Sequence, residues 1–132
     1  MYRKDLITAE IQKLAQVLAR IMGLKLEGKL EEADEVFRES LLKDFGVTED
    51  ILLSNDFNKF EILINDSAFP AEKLEMLSQF LYAEFNPLQP SERNTALAEK
   101  LNLIYQMLEV KHHIVSMINL DRQRKVQQYL NS

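Results

Sequence analysis

Apolar residues recur along this chain at helical intervals. Ile7, Ile11, Leu14, Leu18 and Ile21 step by fours and threes, the stripe of an amphipathic helix, and Ala15 and Met22 widen it. Gly23 and Gly28 bracket the frayed end expected there. A second stripe, Leu30, Ala33, Phe37 and Leu41, follows Gly28. Glu31 and Glu32 stand in its first turn, where the helix dipole favours negative charge, and Gly46 after Phe45 suits a C-terminal cap. With so short a connection, the two helices are expected to lie antiparallel as a hairpin.

From Thr48 the periods shorten. Thr48-Glu49-Asp50 reads as a capped start, Ser54-Asn55-Asp56 as a break, and Phe57, Phe60, Leu63 and Ile64 as a second short apolar face. Two short helices are predicted. The β-branched content of Glu61-Ile62-Leu63-Ile64 also fits a strand, but a lone strand would find no partner elsewhere in the chain, so helix is favoured.

Pro70 suits the first turn of a helix through Leu74, Leu77, Leu81 and Phe85, which Asn86-Pro87 ends because the residue before proline resists the α conformation. Ser91 then caps a helix carrying Leu97, Leu101, Ile104 and Leu108, giving a second hairpin. After Lys111-His112-His113 a final helix is expected from about Asn119 to Leu130, burying Leu120, Val126 and Leu130.

Gly28-Lys29-Leu30-Glu31-Glu32-Ala33-Asp34-Glu35-Val36-Phe37-Arg38-Glu39-Ser40-Leu41 resembles the turn and second helix of a tetratricopeptide repeat. Such a repeat has a small residue where Ala33 lies and an aromatic where Phe37 lies. The first helix departs from the pattern, with Val17 in place of a bulky aromatic and Ile21 in place of a small residue. With its Met1-Tyr2-Arg3-Lys4-Asp5-Leu6-Ile7 opening, the chain is similar to an uncharacterised bacterial family of tetratricopeptide-like helical proteins. The resemblance implies a fold and no activity. The expected class is all-α over one domain, residues 1–132: antiparallel helical hairpins in a tetratricopeptide-like array or a compact helical bundle.

Composition narrows the function more than the fold. At 132 residues, 46% hydrophobic and 28% charged, the chain matches an ordinary globular domain with one core. It holds no cysteine, which removes disulfides, thiolate nucleophiles and sulfur-bound zinc. Polar residues interrupt the apolar positions near the N-terminus, so no secretory segment forms, and no run approaches the roughly 18 apolar residues that span a bilayer. A cytoplasmic location is expected. The net charge of −5 is unevenly spread. Residues 1–109 carry 12 Lys/Arg and 20 Asp/Glu, a net −8, whereas residues 110–132 carry four and one, a net +3. An acidic body does not attract nucleic-acid phosphate, so neither nucleic acid nor membrane is an expected partner.

Candidate chemistry is sparse. His112-His113 with Glu109 offers at most a two-histidine, one-carboxylate cluster of the kind that holds iron or zinc. Adjacent helical side chains diverge by about 100°, so a surface or capping role is favoured. Glu27, Glu31, Glu32, Asp34, Glu35 and Glu39 read as a solvated helix face rather than paired catalytic carboxylates. Arg122, Arg124 and Lys125 form a small basic cluster near Tyr129, matched first to the protein's own acidic surface. Met22, Met76, Met107 and Met117 read as gap fillers. No Ser/His/Asp set, phosphate loop or HExxH pattern occurs.

These readings favour a non-enzymatic protein-protein interaction module with no cofactor. A protein or peptide partner would meet Lys13, Gln16 and Arg20 on the polar side of the first helix. The alternative is a small-ligand or metal-binding protein or enzyme with its site near Glu109, His112 and His113. A homodimer is also expected, because Leu6, Val17 and Leu24 flank the first stripe with more apolar surface than one neighbour covers.

Overall fold

A computed structural model describes residues 2–132, with side chains from Asp5 onward except that of Phe57. The expectations placed on Met1, on the side chains of the opening Tyr2-Arg3-Lys4, and on Phe57 as part of an apolar face lie outside the described residues. The described residues form seven helices and no strand: α1 (Tyr2–Leu26), α2 (Leu30–Phe45), α3 (Glu49–Leu53), α4 (Phe57–Ser67), α5 (Ala71–Glu84), α6 (Glu92–Val110) and α7 (Met117–Leu130). The protein is all-α. The helices divide into two compact units, the first ending at Glu49 and the second spanning Asp50–Ser132.

In the first unit α1 packs on α2. Gly23 lies inside α1, and the reversal waits for Gly28, whose φ of 78° side chains rarely adopt. There the Lys29 N–H reaches the Leu24 carbonyl at 2.9 Å and the Gly28 N–H reaches that of Lys25 at 3.0 Å, satisfying carbonyls that a helix end leaves without partners. Leu14 and Ile21 of α1 and Ala33, Phe37 and Leu41 of α2 are buried, as their spacing predicts. Leu30 is exposed despite its place in the stripe, because it opens α2 beside the turn. At the other end of α2, Gly46 takes the left-handed conformation, φ 70°, and the Val47 N–H bonds the Leu41 carbonyl at 3.1 Å.

The second unit is organised on α6, which packs against α4, α5 and α7. Partners on several sides explain why Ala96, Leu97, Ala98, Leu101, Leu103, Ile104, Tyr105 and Leu108 are all buried, more than one stripe. The Glu61-to-Ile64 run is helical, within α4. Pro70 stands one position earlier than its expected place, as the N-cap of α5, where its carbonyl accepts from the N–H groups of Lys73 and Leu74 at 3.0 Å each. Ser91 caps α6 as expected, its hydroxyl accepting from the Asn94 N–H at 3.0 Å.

The last helix corrects the pattern reading. α7 starts at Met117, two residues before the expected start, with Ser116 as its cap, accepting from the Asn119 N–H at 3.0 Å. Val126 is buried and Leu130 half-buried, but Leu120 is exposed and Asn119 holds the inward position. Asn119 is tolerated there because its Nδ2 donates to Glu75 Oε1 at 3.3 Å. Two of the four methionines assigned to gap filling, Met22 and Met117, are exposed.

Candidate functional site

Polar side chains gather where α5, α6 and α7 of the second unit meet. Tyr105 falls four residues after Leu101 and three before Leu108, so α6 turns its ring inward, and its side chain is buried. Burial pushes its phenol well above the ordinary tyrosine value, against the pull of the Arg122 guanidinium. Ser78 lies beside this hydroxyl, yet Ser78 Oγ donates to the Glu75 carbonyl at 2.6 Å and no bond of normal geometry reaches Tyr105 Oη. Arg122 itself stacks over the Tyr82 ring, 4.7 Å from its centroid. A phenol held protonated in this way is no base.

Beside Tyr105 the α6-α7 junction holds a small, partly open cavity of about 10 Å³ bordered by Leu108, Glu109, Ile114 and Asn119. That space admits about one water. Larger grooves open to solvent; one of about 360 Å³ runs along Asn55, Ser91, Thr95 and the carboxylates Glu92 and Glu99.

Lys100 is the other unusual group. Its side chain is fully buried, and Nζ donates to the Ser54 carbonyl at 2.7 Å, fastening the break after α3 to α6. Burial lowers its pKa, opposed by the charge of Glu99. The end of α7 is fastened as well. The Tyr129 hydroxyl accepts from the Ser91 N–H, donates to the Ser91 carbonyl, both at 3.2 Å, and lies 3.0 Å from Thr95 Oγ1, while its ring meets Phe85 edge-on.

The residues singled out from sequence fall in two places. Lys13, Gln16 and Arg20, spaced by three and four, share one exposed face of α1. Glu109 is exposed at the cavity rim, His112 is half-buried, and His113 is exposed with φ 57°, the left-handed residue that turns the chain out of α6. The Ile114 N–H closes that turn on the Leu108 carbonyl at 2.9 Å, the arrangement Gly46 and Val47 make after α2. α6 ends at Val110 with Lys111 as its C-cap, and His113 is the left-handed residue of the turn that follows. Among the described residues no three His, Cys, Asp or Glu side chains gather to hold a metal ion, so Glu109, His112 and His113 form no ligand set.

The chain matches no family model, no curated protein and no solved structure. Among the described residues, no helix is long and apolar enough to cross a membrane.

Pattern reading missed Lys100 and Tyr105, and set Tyr129 only beside the basic cluster, not against Ser91 and Thr95. Lys100 was legible in principle, since it lies three after Leu97 and four before Ile104, inside the apolar stripe. Its carbonyl partner, 46 residues away, was not.

Proposed function

We propose that this chain is a non-enzymatic helical interaction module that binds a protein or peptide partner through its helix faces. The observation that carries this reading is the set of large apolar side chains left exposed on the helices and turns: Leu6, Met22, Leu26, Leu30 and Leu42 in the first unit and Val110, Val115, Met117 and Ile118 in the second. Exposed apolar surface rimmed by polar residues marks interaction sites. In the first unit the exposed face carrying Lys13, Gln16 and Arg20 supplies the polar contacts that fix a partner's register, in the manner of a tetratricopeptide-like hairpin. The alternative, a small-ligand or metal site at Glu109, His112 and His113, draws only on Glu109 at the rim of a cavity with room for about one water.

The test is affinity capture from the native host with the parent chain and with Lys13→Glu/Gln16→Ala/Arg20→Glu. A protein retained by the parent and lost from the variant is the expected result. Equal capture by both, or saturable binding of a small metabolite at the α6-α7 cavity, would replace this reading.

A further inference from the structure

The turn between α6 and α7 is an apolar knuckle. α6 ends at Val110, His113 turns the chain in the left-handed conformation, and Ser116 caps α7 three residues later. Asn119 and Val126 mark the inward face of α7, so Met117, Ile118 and Leu120 spread around the rest of its first turn. Met117 is 83% exposed, Ile118 64% and the preceding Val110 74%. This apolar tip belongs to the basic end of an acidic chain. Residues 110–132 carry Lys111, Arg122, Arg124 and Lys125 against Asp121 alone, a net +3 beside −8 for the remainder.

The complementary surface is on α2. That helix holds six carboxylates against two cations, a net −4. Glu31, Glu35 and Glu39, spaced by four, form an exposed row, with Glu32 beside it. Exposed leucines edge this row at both ends: Leu26, 90% exposed, and Leu30 near its start, and Leu42 near its finish.

We infer that the chain binds a second copy of itself head to tail, the α6-α7 knuckle of one copy seating on the leucine-edged acidic face of α2 in the next. Opposite charge steers the encounter and sets the orientation, and burial of Met117, Ile118, Leu26 and Leu30 supplies the attraction. A second copy fits better than an anionic bilayer, which would face the −8 remainder of each molecule as well as the +3 tip. Because the two surfaces differ, each copy keeps one of each free, and assembly closes as a ring or extends. This interface is separate from the Lys13, Gln16 and Arg20 face, so the capture variant above is expected to self-associate like the parent.

Sedimentation velocity over a wide concentration range tests it. The parent is expected to associate with rising concentration and to dissociate as salt screens the charges. Met117→Glu/Ile118→Glu and Glu31→Lys/Glu35→Lys should each weaken association about tenfold or more. An equimolar mixture of these two variants retains one intact knuckle and one intact α2 face, and should form a one-to-one complex that grows no further. Circular dichroism checks that each variant folds; if Met117→Glu/Ile118→Glu does not, Ile118→Ser replaces it. A parent that stays monomeric, a mixture that stays monomeric, or variants that associate like the parent would overturn the inference. So would loss of association in Val17→Glu alone, which moves the interface to α1. Knuckle-dependent binding of a monomeric parent to phosphatidylserine vesicles would assign the tip to a lipid surface instead.

Discussion

Ala33 and Ala68 show how one residue type meets opposite demands. Ala33 is fully buried in the α1-α2 hairpin. Ala33→Leu is expected to cost about 1–3 kcal/mol by overpacking, read as a lower thermal midpoint. Ala68 instead ends α4 at φ 50°, a conformation in which its Cβ is strained. Ala68→Gly is expected to stabilise by about 0.5–1 kcal/mol in urea unfolding, the relief of strain exceeding the added freedom of the unfolded chain. Tyr105 and Lys100, both buried, oppose each other in alkali. Tyr105 keeps its proton above tyrosine's ordinary 10.0, so its contribution is intact below that pH and is lost as the unfolded chain ionises first. The lowered pKa of Lys100 has the other sign: the charged form is penalised in the fold, and stability recovers as pH rises from the folded pKa towards 10.5. Urea midpoints measured from neutral pH upward should lose the recovery in Lys100→Met and the alkaline fall in Tyr105→Phe.

Helix ends, more than helix interiors, fix the elements of this protein. Gly28 and Gly46 were legible as breakers because a left-handed residue is most easily a glycine. His113, in the turn after α6, takes the same left-handed conformation without the signal, which is why the stretch after α6 looked irregular in sequence. His113→Gly is therefore expected to preserve the α6-α7 turn and raise stability by about 0.5–1 kcal/mol, whereas a metal-ligand role predicts no gain. The far end of α7 depends on Tyr129, whose hydroxyl joins Ser91 and Thr95 across more than thirty residues of sequence. Tyr129→Phe keeps the ring against Phe85 and removes the hydroxyl. A loss of about 1 kcal/mol is expected, together with faster amide exchange in the last turns of α7 and the first turn of α6. Unchanged exchange there would mean that ring packing alone holds the helix.

Across the whole molecule, binding is linked to stability. Any ligand that prefers the folded chain raises its midpoint by mass action. Zinc, nickel or iron(II) is expected to leave the thermal midpoint unchanged, because Glu109, His112 and His113 do not converge. A saturable rise abolished by His112→Ala or His113→Ala would restore the metal reading. Charge is distributed at the same scale: the basic C-terminal stretch and the acidic α2 face are both exposed, so salt acts on association more than on folding.

The sequence by itself determined the helical class, both hairpins, the Ser91 cap and the burial of Leu14, Ile21, Ala33, Phe37 and Leu41. Each of these follows from interactions within a few residues, where a 3.6-residue period, a capping hydroxyl or a glycine acts locally. It also marked the uneven charge, which needs no fold to be counted. Tertiary structure alone decided which members of each stripe stay exposed. Leu120 gives the inward place to Asn119 because Glu75, on α5, is there to receive the amide. Lys100 is buried because Ser54 turns a carbonyl towards it, and Met117 and Ile118 stand out because α7 turns Asn119, not them, inward at its start. Those outcomes depend on partners distant in sequence, and a one-dimensional pattern carries no record of which distant group will be near.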